Sequence, residues 1–187
     1  MEIYLIRHTT PDIVKGTYYG QTDVELPRSY EYDFDTLKKK IPRKFDAVFT
    51  SPLSRCRNFA RELESNMFKS DDRLLEMNFG DWEMKLWNEI EKTSLEHWMN
   101  NFDTASAPNG ESFQSLHDRV IDFYDNEVTQ GDYEAVAIVT HGGVIRSIIN
   151  HVLNIPLQNA FGYELDFGSV TLIDKNDEWA KVKYLNR

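Results

Sequence analysis

Two arginines and two histidines of this sequence stand where apolar runs end. Arg7 ends the run "EIYLIR" and His8 follows it, Arg55 comes shortly after "DAVFTS", and His141 comes directly after "AVAIVT". The paired donors of arginine match phosphoryl oxygens, and a neutral imidazole can attack phosphorus. Each residue alone would be an ordinary strand-end or surface residue. Together they predict a site that grips and attacks a phosphate group.

Transfer of phosphate from an ester also requires an acid that protonates the departing oxygen. The segment "LLEMNFGDWEM" offers Glu76, Asp81 and Glu83 among bulky apolar residues. The sequence contains no G-x-x-x-x-G-K-[ST], G-x-G-x-x-G or G-x-S-x-G loop and no CxxC or HExxH pattern, so we expect no nucleotide loop of those types and no dedicated zinc site. Cys56 and Arg61 are one residue short of the C-x5-R spacing of cysteine phosphatases. Cys56 also falls on an apolar helix face, and we interpret it as a core residue.

The elements that must position these residues alternate between strands and helices. Apolar runs predict interior strands at 2–7, 46–51 and 135–140, and helical spacing predicts helices at 53–66 and 143–153. Further patterns predict a polar helix at 33–41, helical turns around Leu86–Ile90 and Leu95–Met99, an amphipathic helix from Phe113 to Tyr124, and a hairpin of 169–174 with 180–186. This alternation implies an α/β fold with a mostly parallel central sheet and helices on both faces. Such sheets place their sites at the carboxyl ends of the strands. The strand ends that carry the arginines and histidines should therefore lie together at one side of the sheet.

Length and composition limit the classes of protein that are possible. The 187 residues, of which 41% are hydrophobic, suit a single domain over 1–187. The formal net charge of −10 disfavours a nucleic-acid partner. No apolar stretch is long enough to span a bilayer, and the start lacks a secretory signal, so no membrane partner is expected. One cysteine, Cys56, cannot form an internal disulfide, which predicts a reducing, cytoplasmic setting.

Five segments resemble a known family in their order along the chain. "LIRHTTP", "SPLSRCRNFA", "LLEMNFGDWEM", "PNGESFQSLHDR" and "VTHGGVIR" are similar to the motifs of the histidine phosphatase superfamily, also called the phosphoglycerate mutase-like family. The resemblance implies a three-layer α/β/α sandwich and a phosphohistidine mechanism without metal or cofactor. By position it makes His8 the nucleophile and Glu76 the proton donor. It assigns Arg7, Arg55 and His141 to the phosphate pocket.

Within the superfamily the sequence is most similar to the alpha-ribazole phosphatases, through "YYGQTDVEL", "FGDWEM" and "PNGESFQ". That likeness implies a small-molecule phosphomonoester substrate, alpha-ribazole 5′-phosphate, which is hydrolysed to alpha-ribazole and phosphate in cobalamin assembly. Gln21, Trp82, Asn109 and Phe113 are candidates for the outer pocket, with an aromatic side chain to stack on a flat base, although core packing is an alternative for both aromatic residues. The rival functions are a broad-specificity phosphatase or a mutase of the same fold and, more distantly, a non-catalytic binding protein.

Several positions depart from the family pattern. Thr9 replaces the usual glycine after the nucleophile, Thr10 replaces a common acidic residue, and Val14 stands where many members carry asparagine. The usual segment before the first helix is also replaced, by "LPRSYEYDFDTLKKK". These departures leave the five central residues intact and bear on substrate specificity. The remaining histidines lie in helical stretches without evident partners, and we interpret them as structural: His97, His117 and His151.

Overall fold

The part of the chain described by the computed structural model, residues 1–42 and 44–187, is built around one six-stranded sheet. The strands are β1 Glu2–Arg7, β2 Lys44–Thr50, β3 Glu64–Ser70, β4 Ala135–Thr140, β5 Val170–Lys175 and β6 Ala180–Tyr184. Their order across the sheet is β3-β2-β4-β1-β5-β6. The first four strands pair in parallel, whereas β5 runs antiparallel to both β1 and β6. The prediction of a mostly parallel sheet is confirmed.

Helices cover both faces of this sheet. They are α1 Tyr30–Lys38, α2 Ser54–Ala60, α3 Lys92–Asn100, α4 Phe113–Phe123 and α5 Gly142–Leu153. Side chains alternate across a strand, so Ile3 and Leu5 of β1 pack in one buried cluster with residues of α3, α4 and α5, while Tyr4 and Ile6 pack in a second cluster with residues of α1 and α2. The result is the predicted three-layer α/β/α arrangement. None of the helices in the described ranges has the length and apolar character that a membrane crossing requires.

The structure corrects the prediction of a helix over 53–66. Helix α2 ends at Ala60, and residues 64–70 form the edge strand β3, which was missed. Leu63 has helical spacing from the apolar residues before it, but it packs against the second cluster from the connection that leads into β3. An edge strand pairs with only one neighbouring strand, and most residues of "ESNMFKS" are exposed to solvent. The segment therefore lacks the alternation of apolar and polar residues that would predict a strand.

Smaller differences concern short helices. The polar helix expected at 33–41 lies at Tyr30–Lys38, and the helical turn expected at Leu86–Ile90 is a 3₁₀ turn, Trp87–Glu89. Helix α4 continues into a π-helical turn at Tyr124–Val128. The predicted strands of the sheet centre and the C-terminal hairpin are confirmed.

The register of the sheet brings three strand ends to one edge. Arg7 at the end of β1 lies opposite Thr140 at the end of β4, and Thr50 at the end of β2 lies opposite Val139 of β4. The residues that follow β1, β2 and β4 therefore leave the sheet together. This edge carries the candidate active site.

Candidate active site

His8 is the first residue after β1, and it is almost fully buried. Its backbone N–H donates to the carbonyl oxygen of Thr140 at 3.0 Å, which fixes the residue to the end of β4. Its Nδ1 lies 2.7 Å from the carbonyl oxygen of Thr9. Because a carbonyl oxygen only accepts hydrogen bonds, Nδ1 carries the proton and Nε2 keeps its lone pair.

Burial and nearby cations keep the His8 ring uncharged. Burial lowers the pKa of His8 well below its ordinary value, and the positive charges of Arg55 and Arg7 lower this pKa further. The hydrogen bond to Thr9 opposes these effects and is outweighed. The neutral form is the nucleophilic one, so the site holds His8 in the form that can attack an electrophile.

His141 lies beside His8, between the end of β4 and the start of α5. The two ring centroids are 5.2 Å apart, with the planes inclined by 65°. The Nε2 atom of His141 lies 2.8 Å from Oγ of Ser51, a residue that follows β2. Burial lowers the pKa of His141 well below its ordinary value, and the charges of Arg55 and Arg7 add to this. His141 therefore also stays neutral in the free protein and can act as a hydrogen-bond donor to an anion.

The guanidinium groups of Arg7 and Arg55 are held by backbone carbonyls. Arg55 is completely buried and donates from Nη1 to the carbonyl of Thr22 at 2.8 Å and from Nη2 to that of Gly20 at 2.7 Å. Arg7 donates from Nη1 to the carbonyl of Leu165. The Nε atoms of both arginines are buried without a protein partner. Burial lowers the pKa of Arg7, with Glu76 opposing the shift, and the guanidinium remains cationic.

Glu76 is fixed at both its carboxylate and its backbone. Oε1 accepts from the N–H of Met77 at 2.9 Å, and Oε2 accepts from the N–H of Gly143, in the first turn of α5, at 3.1 Å. Its carbonyl oxygen accepts from Nε2 of Gln21 at 3.1 Å and from Nη2 of Arg119 at 3.0 Å. The carboxylate is therefore positioned by the same helix N-terminus that favours negative charge.

These groups meet at one cavity of about 210 Å³. Its lining consists of Arg7, His8, Arg55 and Glu76 together with Thr17, Tyr18, Tyr19, Gly20, Phe79 and Trp87. His141 is not among these lining residues, but its ring lies next to that of His8. Two cations, a neutral imidazole and a carboxylate around one cavity can bind an anion, attack it and transfer a proton. Among residues 1–42 and 44–187, no group of three or more His, Cys, Asp or Glu is arranged to hold a metal ion.

The structure places the other predicted binding residues outside this lining. Gln21 donates to the carbonyl of Glu76, and Trp82 is 5% exposed because it packs against the rings of Tyr18 and Trp98. Asn109 has a positive φ of 58° in an exposed turn, where its Nδ2 donates to a carboxylate oxygen of Asp81 at 3.0 Å. Phe113 is buried and lines an adjacent cavity.

Two residues support the site in roles that were not predicted from sequence. The carboxylate of Glu83, one of the acid candidates, accepts hydrogen bonds from the backbone N–H groups of Gln21, Thr22 and Phe79 at 2.6–3.2 Å, so it organises the loop around Arg55. Arg119 donates to three backbone carbonyls, including that of Glu76, and pairs with the carboxylate of Glu111, which precedes α4. Neither role leaves a signal in the sequence, because both depend on loops meeting in space.

Known proteins of one family resemble this chain in sequence and in fold. The model of the histidine phosphatase superfamily (branch 1) matches residues 3–187. The adenosylcobalamin/alpha-ribazole phosphatase of Escherichia coli is 30% identical over 196 residues, which cover 100% of this chain and 96% of the relative. The protein proposed as phosphoserine phosphatase 2 in Hydrogenobacter thermophilus is 28% identical, with 99% and 95% of the two chains covered. The crystal structure of an alpha-ribazole phosphatase from Shigella flexneri superposes with a TM-score of 0.88 at 29% identity and covers 100% and 96% of the chains.

The chain therefore belongs to the histidine phosphatase superfamily. It has the fold of the phosphoglycerate mutase-like proteins. It is a phosphatase, and its substrate is a small-molecule phosphate ester.

Proposed function

We propose that this phosphatase hydrolyses a phosphate monoester through a phosphohistidine on His8, and that the ester is alpha-ribazole 5′-phosphate. The observation that carries the mechanism is that Arg7, His8, Arg55 and Glu76 line one cavity and that the ring of His141 lies next to that of His8. The observation that carries the substrate is the likeness, over nearly the full length of both chains, to proteins named for alpha-ribazole phosphatase activity.

In the first step, Nε2 of His8 attacks phosphorus in line with the leaving oxygen. A bond forms between Nε2 and phosphorus, the ester P–O bond breaks, and protonated Glu76 gives its proton to the departing alcohol oxygen. Arg7, Arg55 and His141 stabilise the charge on the three equatorial oxygens. The unpartnered Nε–H groups of both arginines supply donors that such oxygens can accept from.

In the second step, water replaces the alcohol. Glu76, now ionised, takes a proton from the water while its oxygen attacks phosphorus, and the bond from phosphorus to Nε2 of His8 breaks. Inorganic phosphate leaves, and Glu76 is again protonated. The hydrogen bond from Nδ1 of His8 to the Thr9 carbonyl keeps the attacking nitrogen the same in every cycle.

Trapping of the phosphoenzyme tests the mechanism. The protein is incubated with a labelled phosphomonoester, quenched and examined for acid-labile, base-stable label, in wild type, His8→Ala and His97→Ala. His97 is an exposed histidine of α3 and serves as the matched control. We expect label in wild type and in His97→Ala and none in His8→Ala. Wild-type labelling of the His8→Ala protein would overturn the assignment of the nucleophile.

A substrate panel tests the leaving group. The kcat/KM values of alpha-ribazole 5′-phosphate, phosphoserine and 3-phosphoglycerate are compared by phosphate release. We expect kcat/KM for alpha-ribazole 5′-phosphate to exceed the other two values at least about tenfold, which is the discrimination that one favourable contact in a binding pocket gives. Phosphoserine is the second candidate, because one relative of nearly equal identity is named for that activity. Equal values would contradict the narrow substrate, and conversion of 3-phosphoglycerate to its isomer without phosphate release would indicate a mutase.

A further inference from the structure

One wall of the phosphate cavity is an exposed aromatic surface. Trp87 is 51% exposed although it is a large apolar side chain, and its ring stacks on that of Tyr18 at 5.4 Å between centroids with an angle of 18°. Both rings line the cavity that holds His8 and Glu76. An exposed indole in the wall of a cavity is a surface on which a flat group can stack.

This surface is fixed before any ligand arrives. The N–H of Tyr18 donates to the carbonyl of Lys85 at 3.0 Å, the N–H of Met84 donates to the carbonyl of Tyr18 at 2.7 Å, and the N–H of Trp87 donates to the carbonyl of Gly16 at 3.1 Å. These bonds tie the two segments that carry the rings into a short antiparallel ladder. A surface that is already ordered costs a ligand little conformational entropy on binding.

The direction of the reaction selects this cavity for the leaving group. In-line attack places the departing oxygen on the side of phosphorus away from His8, where Glu76 protonates it, so the ester spans the distance from His8 to Glu76 and occupies the cavity that both residues line. An adjacent cavity of about 190 Å³ contains Glu76 and Arg146 but not His8. Another, of about 320 Å³ beside Val14 and Phe167, contains neither His8 nor Glu76. The leaving group therefore passes the Tyr18–Trp87 surface.

We propose that Trp87 determines specificity, by stacking with a flat aromatic group on the leaving alcohol. This inference rests on the proposed function and assigns recognition of the aromatic base of its substrate to one residue. It also replaces the sequence-based candidates for stacking: Trp82 is buried under Tyr18, and Phe113 lies in the cavity without His8.

Binding of two matched esters tests the role of Trp87. Alpha-ribazole 5′-phosphate and ribose 5-phosphate share the sugar phosphate and differ in the base. Their dissociation constants are measured by calorimetry on the His8→Ala protein, which should not turn them over, alone and combined with Trp87→Ala, Trp87→Phe or Phe161→Ala. Phe161 is an aromatic residue of similar exposure that lines the adjacent cavity, and it is the matched control.

We expect Trp87→Ala to weaken binding of alpha-ribazole 5′-phosphate by a factor of about 5 to 150, the range for loss of one base–aromatic stack, and to leave ribose 5-phosphate within about twofold. Trp87→Phe should retain most of the affinity for alpha-ribazole 5′-phosphate, and Phe161→Ala should change the affinity for neither ester. Equal affinity of the two esters in the parent protein, an equal loss for both in Trp87→Ala, or a base-specific loss in Phe161→Ala would overturn the proposal. Failure of the proposed function would instead appear as turnover by the His8→Ala protein or none by wild type.

Discussion

The contact between Gly143 and Glu76 leads to a sharp prediction for Gly143→Ala. Gly143 lies in the first turn of α5, and its N–H donates to Oε2 of Glu76. A Cβ atom at this position would lie 2.4 Å from Oε1 of Glu76 and 3.3 Å from Cδ1 of Leu116. Ordinary contact begins near 3.4 Å. The carboxylate of Glu76 therefore has to move by about 1 Å. Because the side chain is flexible, this movement costs little stability, but it takes the carboxylate away from the place where it protonates the leaving group.

The expected effect on activity follows from that displacement. A misplacement of about 1 Å in a positioned catalytic group lowers the rate about 10²-fold, and general acid catalysis contributes about 10² to 10⁴ in total. We expect the rate of phosphoenzyme formation to fall about 10²-fold. The free energy of unfolding should not fall, because alanine stabilises a helix by up to about 1 kcal/mol relative to glycine. Loss of activity in a protein that unfolds at the wild-type temperature or above would be the signature of this effect.

The neighbouring glycine supplies the control. A Cβ atom on Gly142 would lie 3.4 Å from both Cζ and Nε of Arg7, so Gly142→Ala gains the same helix preference without a clash. Rapid-quench measurement of phosphoenzyme formation should separate the two variants by about 10²-fold. The defect of Gly143→Ala should shrink with p-nitrophenyl phosphate, whose leaving group needs no protonation. Equal rates in the two variants, or an equal defect with both kinds of ester, would refute the placement of Glu76 as the acid.

Two further predictions concern the surroundings of the site. The pKa values of His8 and His141 are lowered on folding, so below about pH 6.5 the unfolded chain binds protons that the folded protein does not, and stability falls as the pH falls from there. Urea unfolding between pH 5 and 7.5 should show this dependence of the free energy of unfolding on pH. His141→Asn should reduce its slope by up to about 1.4 kcal/mol per pH unit, and an unchanged slope would contradict the buried neutral state of His141. Arg119→Lys keeps a charge but loses the fork that holds the carbonyl of Glu76, so kcat should fall while KM stays within about twofold. A change in KM alone would assign Arg119 to binding instead.

The centre of the fold could be predicted from sequence because burial leaves strong signals there. β1 and β4 are continuous apolar runs, and the alternation of Ala180, Val182 and Tyr184 with lysines marks β6 of the hairpin. The edge strand β3 was missed because it has neither signal: it pairs on one side only, and solvent reaches most of its residues. Helix α2 was extended into it because Leu63 keeps the helical spacing after the helix has ended.

The residues of the candidate site likewise differ in whether the sequence predicts them. Arg7, His8 and His141 were predictable because strand ends in parallel sheets converge, whatever the loops do. The aromatic wall was not predictable, because Trp82 and Trp87 lie five residues apart and each has both polar and apolar neighbours in the sequence. Only the packing of Trp82 beneath Tyr18, and the backbone ladder that holds Trp87 above it, decides which of the two is buried.

The way the arginines are held explains how a chain of net charge −10 can bind an anion. Arg73 and Arg119 each pair with carboxylates, so most of their charge is cancelled locally. Arg7 and Arg55 instead donate to neutral carbonyls, and within the described ranges neither forms an ion pair with a carboxylate. Their positive charge therefore remains for a ligand, in a buried setting where screening is weak. Among the described residues, Glu76 is the one carboxylate in the lining of this cavity, and the N–H groups of Met77 and Gly143 that donate to it offset part of its charge.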